Sequence, residues 1–146
     1  MSSLERFLTA QEHSYASALA EIRAGRKYSH WMWYIFPQIA GLGYSAMAQK
    51  YAISDLDEAR DYLAHPVLGA RLKEISRALT ELESYDAQAV MGWPDCLKLR
   101  SCMTLFLLAA PEEAVFREVL EKFYGGERDE LTLRMLGDTA PKGREI

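Results

Sequence analysis

The residues best equipped for chemistry fall in one run, Asp95 to Thr104, which holds Asp95, Lys98, Arg100, Ser101 and Thr104. On a helix, Asp95 and Lys98 stand three apart and can pair in the first turn, where a carboxylate also suits the helix dipole. Lys98 and Ser101 share that spacing, as do Ser101 and Thr104. A serine beside a lysine makes a nucleophile and its base only if the amine is buried and neutral. The plainer account of the same residues is a capped helix with an ion pair and hydroxyls bonded back to the preceding turn. A second polar set surrounds the aromatic stretch Ser29–Gln38: His30 and Gln38 lie within it, and Gly41 and Gly43 follow. Joined to Lys98 and Arg100, these would form a small anion or nucleotide pocket, with cations for charge and glycine backbone for close approach. The candidate ligand-binding residues are therefore His30, Gln38, Gly41, Gly43, Lys98, Arg100, Ser101 and Thr104.

Other chemistries find no support in the spacing. Gly41-Leu42-Gly43 lacks a third glycine, a following Lys-Ser/Thr and a preceding strand, so it reads as a tight connection between helices rather than a phosphate loop. His13, His30 and His65 are scattered, and no metal site is expected. Cys96 and Cys102 are six apart on an expected helix, hence on different faces, and neither a disulfide nor a metal pair is expected. Free thiols suit a reducing cytoplasm. No cofactor signature is present and none is expected. Asp129 and Thr132 form a second polar group, which helix capping explains.

These residues must be positioned by helices packed around Ser-His-Trp-Met-Trp-Tyr-Ile-Phe-Pro-Gln, residues 29–38. At roughly 150 Å² for each of Trp31, Trp33, Tyr34 and Phe36, their burial is worth at most about 15 kcal/mol gross. Ser29 can cap this short helix and Pro37 stops it. Apolar residues on every side predict a fully buried segment. Ser2 and Glu5 form a capping box for a first helix reaching Gly25, with a break expected between Thr9 and Ser14. Ser54, with Asp57 and Glu58, begins another helix that ends at His65-Pro66, where a histidine cation would suit the negative helix end. Leu68, Leu72, Ile75, Leu79 and Leu82 make a single stripe on a helix from Pro66 to about Ser84. Strongly apolar helices follow after Pro94 and Pro111, and a last one after Asp129. Every strong period is helical, so the expected fold is all-α, a single compact domain over 1–137 with about seven or eight helices, and a polar tail over 138–146.

A chain of 146 residues can bury a real core without disulfides or metals. Its net charge of −4 and pI near 5.4 argue against a nucleic-acid binder that works by neutralising phosphates, yet leave room for a small anion held by two or three cations. The run Met103–Pro111 is too short to span a bilayer, and the polar N-terminus has no apolar signal core, so no membrane association and a cytoplasmic location are expected.

The strings Ser29–Gln38, Gly41-Leu42-Gly43, Tyr51-Ala52-Ile53, Tyr62-Leu63-x-His65-Pro66-x-Leu68-Gly69-x-Arg71-Leu72 and Asp95-x-x-Lys98-Leu99-x-Ser101-x-Met103-Thr104-Leu105-Phe106 resemble the bacterial and fungal proteins grouped as domain of unknown function family 1810. Some members carry the name calpastatin, for which nothing in this sequence gives support. The resemblance runs from Leu4 to about Leu136. It implies a compact all-α fold and no particular activity, and its polar motif positions coincide with His30, Gln38, Asp95, Lys98, Ser101 and Thr104. Cys102 stands where the resemblance implies a serine, so no required hydroxyl is expected there. Two functions remain open. One is a binding protein or hydrolase for a small anion or nucleotide derivative, with a looser, fold-level analogy to small all-α proteins acting on ADP-ribose derivatives. The other is a non-catalytic module presenting a helical groove to a partner protein.

Overall fold

The computed structural model describes residues 4–137 and folds them as ten helices, with one isolated parallel bridge between Ile39 and Ile53. In chain order these are α1 (Glu5–Glu12), α2 (Tyr15–Arg23), α3 (Met32–Ile35), α4 (Ala46–Lys50), α5 (Leu56–Ala64), α6 (Leu68–Thr80), α7 (Ala87–Met91), α8 (Asp95–Ala109), α9 (Ala114–Tyr124) and α10 (Glu130–Gly137). The all-α class holds, while the count exceeds the seven or eight expected. The first amphipathic stretch does break, at His13–Ser14. In addition α4 and α7, of five residues each, are closed by local caps. The Ser45 hydroxyl accepts from the Ala48 N–H at 3.1 Å, and the Asp86 carboxylate accepts from the N–H groups of Gln88 and Ala89. Helix α4 coincides with the short helix expected from about Tyr44 to Ala52, and α7 with the turn expected after Asp86, which is helical here. Ser2 and the expected 138–146 tail lie outside the described residues.

The aromatic stretch is a core plug on one side only. Trp31, Met32, Ile35 and Phe36 are at most 2 % exposed, and Pro37 ends α3 as expected. Trp33 and Tyr34 are half-buried and His30 is exposed, so the expectation of burial on every side is corrected. The reason is geometric: a four-residue helix has one core-facing side, and His30, Trp33 and Tyr34 share the other. Nor does Ser29 cap α3, whose first residue follows Trp31. Its hydroxyl donates instead to Glu21 at 2.6 Å, and that carboxylate also takes the N–H groups of Tyr28 and Ser29 and the Trp31 indole. One acid on α2 thereby shapes the loop leading into the plug.

The rod at the centre is α8. It is apolar all round, buries Cys96, Leu99, Ala109 and every residue from Ser101 to Leu107, and packs against α5, α7, α9 and α10. A string of ring contacts, Tyr51–Phe7–Tyr62–Phe106–Phe116, with centroids 5.1–5.8 Å apart, runs through the interior. The α6 stripe packs as expected, with Leu68, Leu72, Ile75 and Leu79 at most 1 % exposed.

The α5–α6 corner departs from expectation in two details. Asp55, not Ser54, caps α5: it accepts from the Glu58 N–H at 2.8 Å, while Glu58 takes the Ser54 N–H at 2.7 Å, closing a capping box one residue late. His65 follows α5, but its Nδ1 accepts from the N–H groups of Val67 and Leu68. It works as an acceptor at the start of α6 rather than as a cation at the end of α5. The corner is tight because Gly69 faces Leu63; a Cβ there would lie 2.0 Å from the Leu63 carbonyl oxygen. Among the described residues, no helix is long and apolar enough to cross a membrane.

Candidate functional site

A cleft of about 960 Å³ opens beside the plug. One wall is the loop from Gln38 to Ser45, with Trp33, Ala48, Tyr51 and Ala52. The other is the first half of α8 together with residues 126–133, the segment that leads into α10. The Ile39–Ile53 bridge fixes the loop: the Ile53 N–H donates to the Gln38 carbonyl and the Ala40 N–H to the Ile53 carbonyl, both at 2.8 Å. Pro37 feeds directly into this bridge, so the residue that stops α3 also sets where Gln38 stands.

The mouth of α8 is held by charge. Lys27 places its ammonium 2.9 Å from one Asp95 oxygen and donates to the Ser29 carbonyl at 2.6 Å, tying the plug loop to α8. Lys98 pairs with the other Asp95 oxygen at 3.5 Å and lies 5.8 Å from the centroid of the Trp33 ring. Arg100 lies two residues further along α8 and also lines the cleft. Its guanidinium sits 5.7 Å from the Tyr124 ring centroid, donates from Nη1 to Glu127 at 3.4 Å, and keeps a buried Nε without a hydrogen-bond partner. Arg128 supplies a third, exposed cation to the same wall.

Of the eight residues singled out by sequence, Gln38, Gly43, Lys98, Arg100 and Ser101 line the cleft, and His30, Gly41 and Thr104 do not. His30 is exposed on the loop that Glu21 organises. Gly41 is exposed and turned toward Met135, whose sulfur a Cβ would approach to 2.9 Å. Thr104 is fully buried; it donates to the Arg100 carbonyl at 2.8 Å and accepts the Asp129 N–H at 2.9 Å. Gly43 contributes proximity: a Cβ there would meet the Ala48 Cβ at 2.8 Å. The helix after it, α4, is five residues long and already capped by Ser45, which disposes of a phosphate cradle at that point.

The polar groups on the first turns of α8 are engaged within the fold. Ser101 donates to the Leu97 carbonyl at 3.2 Å, and Lys98 lies beside Asp95 with about a third of its side chain exposed, so the buried neutral amine required of a Ser–Lys pair is not built. The Asp129 carboxylate caps α10 through the N–H and hydroxyl of Thr132. Burial raises the Cys96 thiol and pushes the Cys102 thiol well above the ordinary range, as befits inert core cysteines. Among the described residues, no group of three or more His, Cys, Asp or Glu is placed to hold a metal ion. Sequence reasoning did not single out Tyr44, Glu127 and Arg128, which sit in loops, where no period marks a face, or Glu130, the first residue of α10. The Gly125-Gly126 pair before them signalled only a helix end.

No curated protein matches the chain significantly. The crystal structure of the conserved hypothetical protein Rv1873 from Mycobacterium tuberculosis is similar, at 45 % identity and a TM-score of 0.90, over 92 % of this chain and 96 % of that one. The model of the DUF1810 family, described as proteins of unknown function, matches residues 1–136, and the chain belongs to that family.

Proposed function

We propose that the cleft binds a small anionic ligand of nucleotide type: a planar ring against Trp33 and Tyr44, and a phosphate or carboxylate toward Lys98, Arg100 and Arg128. The observation that carries this reading is the meeting, in one wall-bounded space, of three cations with aromatic faces from a distant part of the chain. Such sites combine a mostly apolar lining with a few convergent polar groups. Binding is preferred to hydrolysis because the Ser101 hydroxyl is engaged with Leu97 and the Asp129 carboxylate with Thr132.

The test is thermal unfolding with AMP, ADP, ADP-ribose and inorganic phosphate. A ligand present at about a hundredfold excess over Kd should add about 2.7 kcal/mol, a rise of several degrees in Tm. Lys98→Ala should lose most of that rise while its ligand-free midpoint moves little. If none of these ligands raises Tm, the proposal fails. A second reading, a groove for a partner protein, is favoured by the exposure of Tyr44, Leu97 and Leu131 on the cleft wall and of Trp93 beside it. It predicts no response to any nucleotide.

A further inference from the structure

The Arg100 side chain keeps one buried N–H without a hydrogen-bond partner, and its surroundings suggest what completes it. We infer that Arg100 is the anion anchor of the site and that Glu127 is a built-in stand-in, a carboxylate that a ligand's anionic group displaces. This rests on the cleft reading above and adds which cation grips the anion and what must leave first.

Three observations carry it. Arg100 is three-quarters covered, with its guanidinium against the Tyr124 ring, yet its Nε is buried with no partner. A buried donor on a charged group left unmade is costly. The one carboxylate it does meet is a poor match: the Nη1–Glu127 separation of 3.4 Å is long for a charge-assisted hydrogen bond, and the Glu127 side chain is 78 % exposed. Finally, Glu127 can leave without moving the backbone. The turn beneath it is locked: Gly125 and Gly126 adopt φ of 62° and 84°, the Gly126 N–H donates to the Leu120 carbonyl, and the Glu127 N–H to the Tyr124 carbonyl. Only the side chain projects into solvent. Freed from it, the guanidinium can turn and offer two N–H groups as a fork, the geometry that matches phosphate or carboxylate oxygens. The charge balance fits. Lys98, Arg100 and Arg128 share the cleft lining with Glu127, Asp129 and Glu130, so their formal charges cancel, and moving the Glu127 carboxylate aside leaves the lining net positive for an anion.

Calorimetric titration with pyrophosphate and with ADP tests this on wild type, Glu127→Gln, Glu130→Gln, Arg100→Gln and the double variant Arg100→Gln/Glu127→Gln, each first checked for an unchanged far-UV spectrum and unfolding midpoint. Glu127→Gln should tighten binding about three- to five-fold, the worth of an exposed ion pair removed from competition. Glu130→Gln, the same charge change in the same wall, should give clearly less. Arg100→Gln should weaken binding about tenfold or more, and in that background Glu127→Gln should give no gain. Equal gains from Glu127→Gln and Glu130→Gln, or a gain that survives without Arg100, would overturn the displacement while leaving the cleft reading in place. If neither wild type nor Glu127→Gln binds either phosphate compound, both fall together.

Discussion

Glu21 shows how much one side chain can organise. Burial by itself would raise its carboxyl, but the Ser29 hydroxyl, the N–H groups of Tyr28 and Ser29, and the Trp31 indole outweigh that and hold it down at about 2, against an ordinary 4.5. A carboxyl lowered on folding stabilises the folded state above its ordinary value, and that contribution drains away as pH falls from about 4.5 toward 2, because the unfolded chain takes up the proton first. Urea unfolding of wild type and Glu21→Gln across pH 2.5 to 7 should therefore show a stability gap that is full near neutrality and closes on acidification; a gap independent of pH would show that the carboxylate is not the group at work. Thr104 makes a second case. Its hydroxyl joins α8 to the start of α10, so Thr104→Val should cost about 1–3 kcal/mol in unfolding free energy while Thr104→Ser costs less. Ligand affinity should be little changed, since Thr104 does not line the cleft. Its appearance beside Ser101 and Lys98 in the sequence reflects helix periodicity, and what separates it from Ser101, also buried, is the Asp129 N–H that it accepts.

Among the elements, α8 has two roles. Its buried length forms the middle of the core, and its first turns carry Lys98, Arg100 and Ser101 to the cleft. Its strongly apolar run was legible in the sequence, yet that run does not show which of its polar residues reach the surface. The α5–α6 corner is the element most sensitive to volume. Gly69→Ala would set a methyl group 2.0 Å from a backbone oxygen, where no rotamer relieves the clash, and the helices must part. The expected cost is about 3 kcal/mol or more, read as a lowered urea midpoint. An unshifted midpoint would mean that the corner opens freely and that the close approach of α5 and α6 is unimportant.

At the scale of the whole molecule, the three tryptophans report on the cleft because their environments differ. Trp31 is 1 % exposed, Trp93 is 67 % exposed, and Trp33 stands half-buried in the cleft wall. Ligand binding should quench or shift Trp33 emission and shield it from acrylamide. The effect should persist in Trp93→Phe and vanish in Trp33→Phe, and a ligand response that follows Trp93 instead would place the ligand outside the cleft. Raising ionic strength should weaken that response, as expected for an anion held by cations near the surface.

The sequence by itself determined the helical class, the plug with its stop at Pro37, the stripe on α6 and the strongly apolar run of α8. Each is written in the local spacing of apolar residues, and burial of apolar surface is the dominant stabilising force. It also marked Gln38, Lys98, Arg100 and Ser101 as polar residues within core strings and Gly43 as a point of close backbone approach, alongside His30, Gly41 and Thr104, which lie outside the cleft. Tertiary structure alone decided that Trp33 faces a space while Trp31 faces the core, that His30 points away and Thr104 points inward, and that residues 126–131 complete the wall. Those outcomes depend on contacts between residues 14, 25 and 68 positions apart in the chain. They are set by the Ile39–Ile53 bridge, the Lys27–Asp95 pair and the Thr104–Asp129 hydrogen bond, none of which leaves a periodic trace along the chain.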